Sequence, residues 1–180
     1  DYIYKKLEYN NLSKIYRVYN PISFFETDSK YFKTDKQNQR LFYIGRISPE
    51  KRIEVILKAL SLSTKSWNLY IVGEGETEYV QSLQNEVFRL KLSNRVSWLG
   101  WQKNPWKSAK SADAIVLASE YEGMPLVLIE ALACGKTVIA TPTPGAVELI
   151  VPGKTGYLFG YNDYEMLAEI LNALQQGQLP

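Results

Sequence analysis

One stretch decides the fold: SEYEGMPLVLIEALACG, residues 119–135. Pro125 stands where a first helical residue belongs, since its missing N–H costs nothing there, and Gly135 stands where a left-handed C-terminal cap belongs. The two residues therefore bracket a predicted helix of about three turns, a common length. Between them every residue is apolar except Glu130. A helix that is apolar all round is typical of the buried middle of a domain.

Glu130 needs a partner in such a helix, because buried charges are normally paired or coordinated. Two interpretations are open: an ion pair with a Lys or Arg from elsewhere in the chain, or hydrogen bonds from the two neighbouring hydroxyls of a ribose. Upstream, residues 122–124 form the turn into the helix, where free N–H groups and the helix dipole favour a phosphate. The stretch thus predicts a site that holds a nucleotide diphosphate and presents Glu122 to the attached group.

Composition restricts the chemistry that the chain can perform. Its 180 residues match one domain with a sizeable core, and 46% hydrophobic and 22% charged residues are typical of a soluble globular protein. A net charge of +2 does not indicate a nucleic-acid-binding face. The single cysteine excludes an internal disulfide, so a reducing cytoplasm is the expected location. Histidine is absent, so carboxylates, cations and backbone amides must carry any chemistry.

Short apolar strands alternate with helices from residue 41 onward. The predicted strands are Leu41–Gly45, Leu69–Val72, Arg95–Leu99, Ala114–Ala118, Thr137–Ala140 and Tyr157–Phe159. The predicted helices, besides the opening one, begin at Pro49 and cover Thr77–Leu92, Pro105–Lys110, Ala146–Ile150 and Tyr164–Gln175. This alternation predicts an α/β fold, a doubly wound, Rossmann-like parallel sheet of about six strands that is covered on both faces.

Two motifs follow the first and fourth predicted strands. In doubly wound sheets ligands bind beyond the carboxyl ends of the strands where strand order reverses, commonly between these two. Arg46 and Lys51 follow the first strand and supply two cations for a diphosphate, Arg as a planar fork and Lys as a point charge. The plainer alternative leaves both as solvated charges at a helix start. No Asp-x-Asp occurs, so no metal seat is visible, and the two cations with a helix N-terminus replace one.

Glu122 and Glu130 have seven residues between them and resemble the E-x7-E signature of retaining GT-B glycosyltransferases of the GT4 type. The resemblance includes Glu-Gly-Met-Pro before the helix and Ala-Cys-Gly after it. It covers roughly residues 40–175 and implies the C-terminal, donor-binding half of a two-domain enzyme. In that family Gly-Arg and Glu-Lys elements hold the donor diphosphate, a role that passes to Arg46 and Lys51. Residues 103–106, Lys-Asn-Pro-Trp, are similar to bacterial members that build capsular or lipopolysaccharide sugars.

The resemblance implies a complete donor site without metal or other cofactor. Its catalytic residues would be Glu122, Arg46 and Lys51. Its donor-binding residues would be Gly45, Arg46, Lys51, Gly73, Trp101, Glu122, Gly123, Met124, Pro125, Leu126 and Glu130. For Gly73 a tight strand-to-helix turn is an equally good interpretation, and for Trp101 core or rim packing is the commoner role. Residues 141–148 resemble the loop near the transferred sugar, with Ala146 where the family often has a second glycine, which leaves the close backbone approach there open.

By the same resemblance, residues 40–180 form the nucleotide-sugar donor-binding domain, and residues 1–39 form a linker or hinge from an absent N-terminal half. The implied activity is transfer of a hexose, with UDP-hexose as the expected donor, to a saccharide or lipid-linked acceptor in bacterial surface polysaccharide synthesis. The acceptor would bind mainly to the other half, so the isolated chain is expected to be inactive. Peripheral attachment of the full-length enzyme to the inner face of the membrane stays open.

Two other functions compete with this one. A noncatalytic nucleotide- or glycan-binding module would keep the same fold, and only the retention of both cations and both glutamates speaks against it. An NAD-dependent oxidoreductase would need a glycine-rich fingerprint after the first strand, where Arg46 and Ser48 stand instead. The Gly-x-Gly at residues 73–75 does not supply it, because Glu78 occupies the third glycine position.

Overall fold

The computed structural model describes residues 38–64 and 66–179. The strands are β1 (Gln39–Ile44), β2 (Trp67–Val72), β3 (Val96–Gly100), β4 (Ala114–Leu117), β5 (Thr137–Ala140) and β6 (Gly156–Leu158). The helices are α1 (Ile53–Leu62), α2 (Thr77–Arg89), α3 (Trp106–Ala109), α4 (Leu126–Ala133), α5 (Pro144–Leu149) and α6 (Tyr164–Gln176). Every strand and helix predicted after residue 40 is therefore present, with ends that differ by a few residues. The predicted hinge at residues 1–39 lies almost wholly outside the described residues.

The six strands form one parallel sheet in the order β3-β2-β1-β4-β5-β6. This confirms the predicted doubly wound, Rossmann-like fold. Strand order reverses between β1 and β4, which pair through Leu41 with Ala114 and through Phe42 with Ile115. The loops that leave these two strands turn to opposite sides, and the crevice between them is the usual ligand site of such sheets.

Helix α1 covers one face of the sheet with the apolar side that its sequence predicts. Ile53, Ile56, Leu57 and Leu60 are all fully buried. Helix α1 lies against α6, and the Trp67 indole N–H at the start of β2 donates to the Leu171 carbonyl of α6 at 2.7 Å. Because a buried N–H without an acceptor is costly, this bond fixes α6 on the sheet.

The helix predicted from Pro49 is interrupted, which corrects that prediction. Residues 49–51 form a single 3-10 turn, Arg52 adopts a left-handed conformation with φ 51°, and α1 begins only at Ile53. A left-handed residue other than glycine costs about 1 kcal/mol. The Arg52 side chain gains a compensating contact, since its Nε lies 2.9 Å from Glu120 Oε1 in the loop after β4.

Helix α4 is shorter and more open than its sequence predicts. It has eight residues, about two turns rather than three. Pro125 precedes it with extended backbone (ψ 101°) and is not its first helical residue. Only Leu128 and Ala131 of the helix are buried, and Leu126 is 43% exposed. The prediction of a helix buried all round is therefore wrong, and one side of α4 is open in this chain.

The predicted end of α4 is confirmed. Gly135 has a φ of 65°, and its N–H donates to the Leu132 carbonyl at 2.9 Å. The next amide, of Lys136, donates to the Ala131 carbonyl at 2.9 Å. This pair of bonds is the Schellman motif, which satisfies the last carbonyl groups of a helix and favours glycine at the left-handed position.

The loops after β1 and β2 touch through their backbones. A Cβ atom on Gly73 would lie 1.9 Å from the Gly45 carbonyl oxygen, and one on Gly75 would lie 1.8 Å from the Ile47 carbonyl oxygen. Ile47 and Gly75 also form a parallel bridge. Glycine at positions 73 and 75 therefore lets the loop after β1 lie along the neighbouring loop, and so fixes where the residues of the first motif are placed.

We predict that Gly73→Ala lowers the free energy of unfolding by about 3 kcal/mol, because the new methyl group collides with the Gly45 backbone and the φ of 143° is unfavourable for alanine. Gly100→Ala is the matched control: its φ is also positive, but nothing lies within 4 Å of the added methyl group. The control should cost about 1 kcal/mol. Urea denaturation measures both, and equal losses would contradict the close approach of the two loops.

Candidate functional site

The loops after β1 and β4 meet through an ion pair. Lys51 Nζ donates to Glu122 Oε1 at 2.5 Å, and the two side chains are only 17% and 19% exposed. The backbones meet as well, since the Glu120 N–H donates to the Glu50 carbonyl at 2.9 Å. The structure thus brings Lys51, which follows β1, into contact with Glu122, which follows β4, at the point where strand order reverses.

Glu122 is held from a second direction. Ser119 Oγ donates to the same oxygen, Oε1, at 2.9 Å, and the Ser119 carbonyl accepts a bond of 2.6 Å from Thr141 Oγ1 at the end of β5. Ser119 and Thr141 are buried. Within residues 38–64 and 66–179, Glu122 Oε2 has no hydrogen-bond donor. The carboxylate is therefore fixed through one oxygen, and the other keeps its capacity to accept hydrogen bonds.

Arg46 combines a fixed backbone with an exposed side chain. Its carbonyl accepts a 2.5 Å hydrogen bond from Tyr43 Oη, and burial, reinforced by the charge of Glu122, raises the pKa of Tyr43 far above its usual value, so this hydroxyl stays protonated. The guanidinium is 73% exposed and donates to Glu50 Oε1 at 2.8 Å. An exposed pair of this kind contributes little to stability, so the Arg46 side chain reorients easily toward an anion.

The Glu50 carboxylate stays ionised beside Arg46 and Lys51. Ser48 Oγ donates to Glu50 Oε1 at 2.7 Å. This hydrogen bond, with a smaller contribution from the Arg46 charge, lowers the pKa of Glu50 below its ordinary value. Both candidate cations of the site are therefore paired with a carboxylate when no ligand is bound, Arg46 with Glu50 and Lys51 with Glu122.

Glu130 is partly exposed on the second turn of α4, and Trp106 is its partner. The Trp106 indole Nε1 donates to Glu130 Oε2 at 2.8 Å. In the described part of the chain no Lys or Arg forms an ion pair with Glu130, so the structural ion pair that the sequence left open is not what these residues form. The contact with Trp106 was not predicted, because nothing in the local sequence of α3 indicates which side of α4 it meets.

The turn into α4 offers free backbone donors. Across the described residues, the N–H groups of Gly123, Met124 and Leu126 donate to no acceptor. The first turn of α5 lies directly against this turn, because a Cβ on Gly145 would lie 2.2 Å from the Gly123 carbonyl oxygen and 2.7 Å from Pro125 Cδ. Gly145 makes this close approach to the turn, and a close backbone approach at position 146 stays a prediction. The start of α5 therefore packs against the turn, while the N–H groups of Gly123, Met124 and Leu126 stay available as donors.

A cleft of about 760 Å³ opens beside Glu122. It is lined by Glu120, Tyr121, Glu122, Gly123, Pro144 and Tyr161. Tyr161 Oη donates to the Pro142 carbonyl at 3.1 Å, which fixes this ring at the cleft wall. Neither Tyr121 nor Tyr161 was predicted as a site residue, because the cleft joins segments that are distant in sequence.

Two predicted site residues, Trp101 and Gly73, lie at the same edge of the sheet. Within the described residues, neither of them forms a hydrogen bond or ion pair with Lys51 or Glu122. Trp101 follows β3 directly and is 65% exposed, and Gly73 follows β2 and packs against the Gly45 backbone. Among the described residues there is no cluster of His, Cys, Asp and Glu that could hold a metal ion. No helix in that part of the chain has the length and apolar character needed to cross a membrane.

Fold and site together define a doubly wound α/β domain with paired charges and free amides at the reversal of strand order. The family model described as glycosyl transferases group 1 matches residues 24–178, and the chain belongs to this family.

Similar proteins share this architecture. The chain is 29% identical over 177 residues to the lipopolysaccharide 1,6-galactosyltransferase of Escherichia coli K12, which covers 93% of the chain and 48% of the relative. Among solved structures, the lipopolysaccharide outer core galactosyltransferase WaaB in its apo form matches 99% of the chain and 52% of its own, with a TM-score of 0.82 and 26% identity. Anabaena HepE in complex with UDP-glucose matches 78% of the chain and 40% of its own, with a TM-score of 0.74 and 31% identity.

The chain spans about half the length, or less, of the relatives it matches. This chain carries the paired charges at Lys51 and Glu122, the Trp106 contact to Glu130 and the free amides before α4. The comparisons therefore place this chain in a family of sugar-transferring enzymes. Its fold matches one half of the GT-B structures, as the E-x7-E resemblance implied.

We predict that Lys51→Met lowers the free energy of unfolding by about 2 kcal/mol, because it leaves the half-buried Glu122 carboxylate with only the Ser119 hydroxyl as donor. Adding Glu122→Gln should restore part of the loss, since the uncompensated charge is removed. Arg46→Met is the matched control, because it breaks the exposed ion pair with Glu50, whose side chains are 73% and 35% exposed, and should leave stability nearly unchanged. Chemical denaturation at neutral pH distinguishes the variants, and indistinguishable midpoints for Lys51→Met and Arg46→Met would contradict a stabilising half-buried pair.

Proposed function

We propose that this chain is the donor-binding domain of a retaining, GT4-type GT-B glycosyltransferase. It transfers a hexose from a nucleotide sugar, with UDP-hexose as the donor, to a saccharide or lipid-linked acceptor in bacterial surface polysaccharide synthesis. Residues 40–180 hold the donor, and residues 1–39 lead to an acceptor-binding domain. The single observation that carries the proposal is the Lys51–Glu122 contact at the strand-order reversal. The galactosyltransferase relative and the UDP-glucose complex of HepE support it.

The donor diphosphate lies over the turn into α4 in this proposal. Arg46 swings from Glu50 to the phosphates, and Lys51 contributes its charge from the half-buried pair. The N–H groups of Gly123, Met124 and Leu126 add donors at the positive end of the helix dipole. Gly45 and Gly73 follow β1 and β2 and carry no side chain that would keep the donor away from the backbone there. Three kinds of positive group therefore converge where a metal ion would otherwise be needed.

The remaining donor contacts follow from the two glutamates and one tryptophan. Glu130 accepts hydrogen bonds from the vicinal hydroxyls of the ribose through its free oxygen. Glu122 offers Oε2 to the hexose, beside the cleft. Trp101, exposed after β3, borders the nucleobase. This arrangement runs the nucleotide from β3 toward β4 and places the transferred sugar next to Glu122.

The chemistry requires no histidine. In a front-face reaction the bond between the sugar carbon and the diphosphate oxygen breaks, and the acceptor oxygen bonds to that carbon on the same face. The proton of the acceptor hydroxyl passes to the departing diphosphate. Negative charge accumulates on the diphosphate as it leaves, so Arg46, Lys51 and the N–H groups near Gly123 and Leu126 bind the transition state more tightly than the ground state. Retention of configuration follows from attack on the same face.

We predict that the chain binds UDP more tightly than GDP, in line with the UDP-glucose complex of HepE. The chain alone should transfer no sugar, because the acceptor surface belongs to the other domain. Glu130→Ala should weaken UDP binding by about tenfold, the equivalent of one or two hydrogen bonds to a charged group. Glu169→Ala removes an exposed helical glutamate on α6 and serves as the control. Isothermal titration calorimetry measures the affinities of the unaltered chain for UDP and GDP and of each variant for UDP. Undiminished UDP binding by Glu130→Ala would remove the ribose assignment, and failure of the unaltered chain to bind UDP would refute the proposed donor.

A further inference from the structure

The partner of Glu130 is a neutral donor and not a cation. Trp106 is 6% exposed, and its indole N–H is the one group of the described residues that donates a hydrogen bond to the Glu130 carboxylate. The indole nitrogen only donates a hydrogen bond, carries no charge and does not ionise at neutral pH. A guanidinium in its place would neutralise the carboxylate and occupy both oxygens. Trp106 instead engages Oε2 and leaves the charge and Oε1 available.

The indole is held rigidly in the core. Trp106 opens the short helix α3 and belongs to the main hydrophobic cluster. The helix is closed by the Ala109 N–H, which donates to the Pro105 carbonyl at 3.0 Å, and by Ser108 Oγ, which donates to Gln102 Oε1 at 2.8 Å. A packed ring with a single polar atom can present that atom in one direction only. The orientation of the Glu130 carboxylate is therefore fixed before any ligand binds.

We propose that Trp106 is a positioning residue for recognition of the ribose. It locks the Glu130 carboxylate in the orientation in which Oε1 meets the two vicinal hydroxyls of a bound ribonucleotide. The inference rests on the proposed function, since it deepens the assignment of Glu130 to the ribose. It adds that discrimination between a ribonucleotide and a nucleotide without these hydroxyls depends on a buried indole N–H in a neighbouring helix. Preorganisation of this kind increases affinity without any new contact to the ligand.

The test compares UDP with 2′,3′-dideoxy-UDP, which lacks both hydroxyls. Trp106→Phe keeps a packed aromatic ring and removes the N–H. We expect it to weaken UDP binding by about tenfold and to change binding of the dideoxy analogue by less than about twofold. Trp67→Phe is the matched control, because it also removes a buried indole N–H, which bonds to the Leu171 carbonyl in the core and not to Glu130. The control should leave the ratio of the two affinities unchanged.

A second variant protects the test against a loss of folding. An analogue in which sulfur replaces the indole N–H, 3-benzothienylalanine, is placed at position 106 and keeps the bicyclic shape. Loss of the preference for UDP in this variant supports the proposal, whereas an unchanged affinity ratio overturns it. If Glu130→Ala lowers the ratio and both Trp106 variants do not, the positioning role fails and the ribose assignment stands. If Glu130→Ala leaves the ratio unchanged, or the unaltered chain binds neither nucleotide, the ribose assignment fails and the positioning role fails with it.

Discussion

The contact between Lys51 and Glu122 is the interaction on which the site depends, because it joins the two loops that the reversal of strand order sends to opposite sides of the sheet. The Glu120 N–H, which donates to the Glu50 carbonyl, joins the same two loops, and the close approach of Gly73 to Gly45 fixes the loop after β1 against the loop after β2. A pair that is mostly withdrawn from water needs both partners, since either charge alone would be costly there. The same contact that stabilises the loops therefore also places a cation and an acid at the mouth of the crevice.

The charges of the site are balanced before a ligand arrives. Arg46 is paired with Glu50 at the surface, and Lys51 is paired with Glu122 in a half-buried position. A diphosphate therefore exchanges one set of anionic partners for another, and the free amides before α4 add to its binding. Glu122 and Glu130 share a further property: each is held through one oxygen, by Lys51 and Ser119 or by Trp106, while the other oxygen stays available. Two carboxylates held in this way suit a ligand rich in hydroxyl groups.

The sequence predicted what local patterns encode. The order of strands and helices, the buried face of α1 and the left-handed Gly135 all follow from residue spacing and backbone preference within a few positions. The helix break at Arg52 was missed because the compensating contact to Glu120 comes from a segment distant in sequence. The exposure of Leu126 was missed for a related reason, since apolar composition indicates that a face can be covered and not that this chain covers it.

The sequence predicted which candidate site residues lie near one another, but not which contacts they form. The sequence placed Lys51 and Glu122 at neighbouring strand ends, because strand order in doubly wound folds is regular, but it gave no sign that they touch. The Trp106–Glu130 hydrogen bond and the Tyr161 wall of the cleft depend on how α3 and the loop after β6 lie across their neighbours. The spacing of residues within one segment does not encode how that segment packs across another.

A crystal structure of the chain with UDP tests the central claim most directly. We expect phosphate oxygens within hydrogen-bond distance of Arg46, Lys51 and the N–H groups of Gly123, Met124 and Leu126. The ribose hydroxyls should lie on Glu130, with the Trp106 contact intact. A diphosphate bound at the opposite edge of the sheet, or one at this edge that leaves Glu130 without a ribose contact, would contradict it.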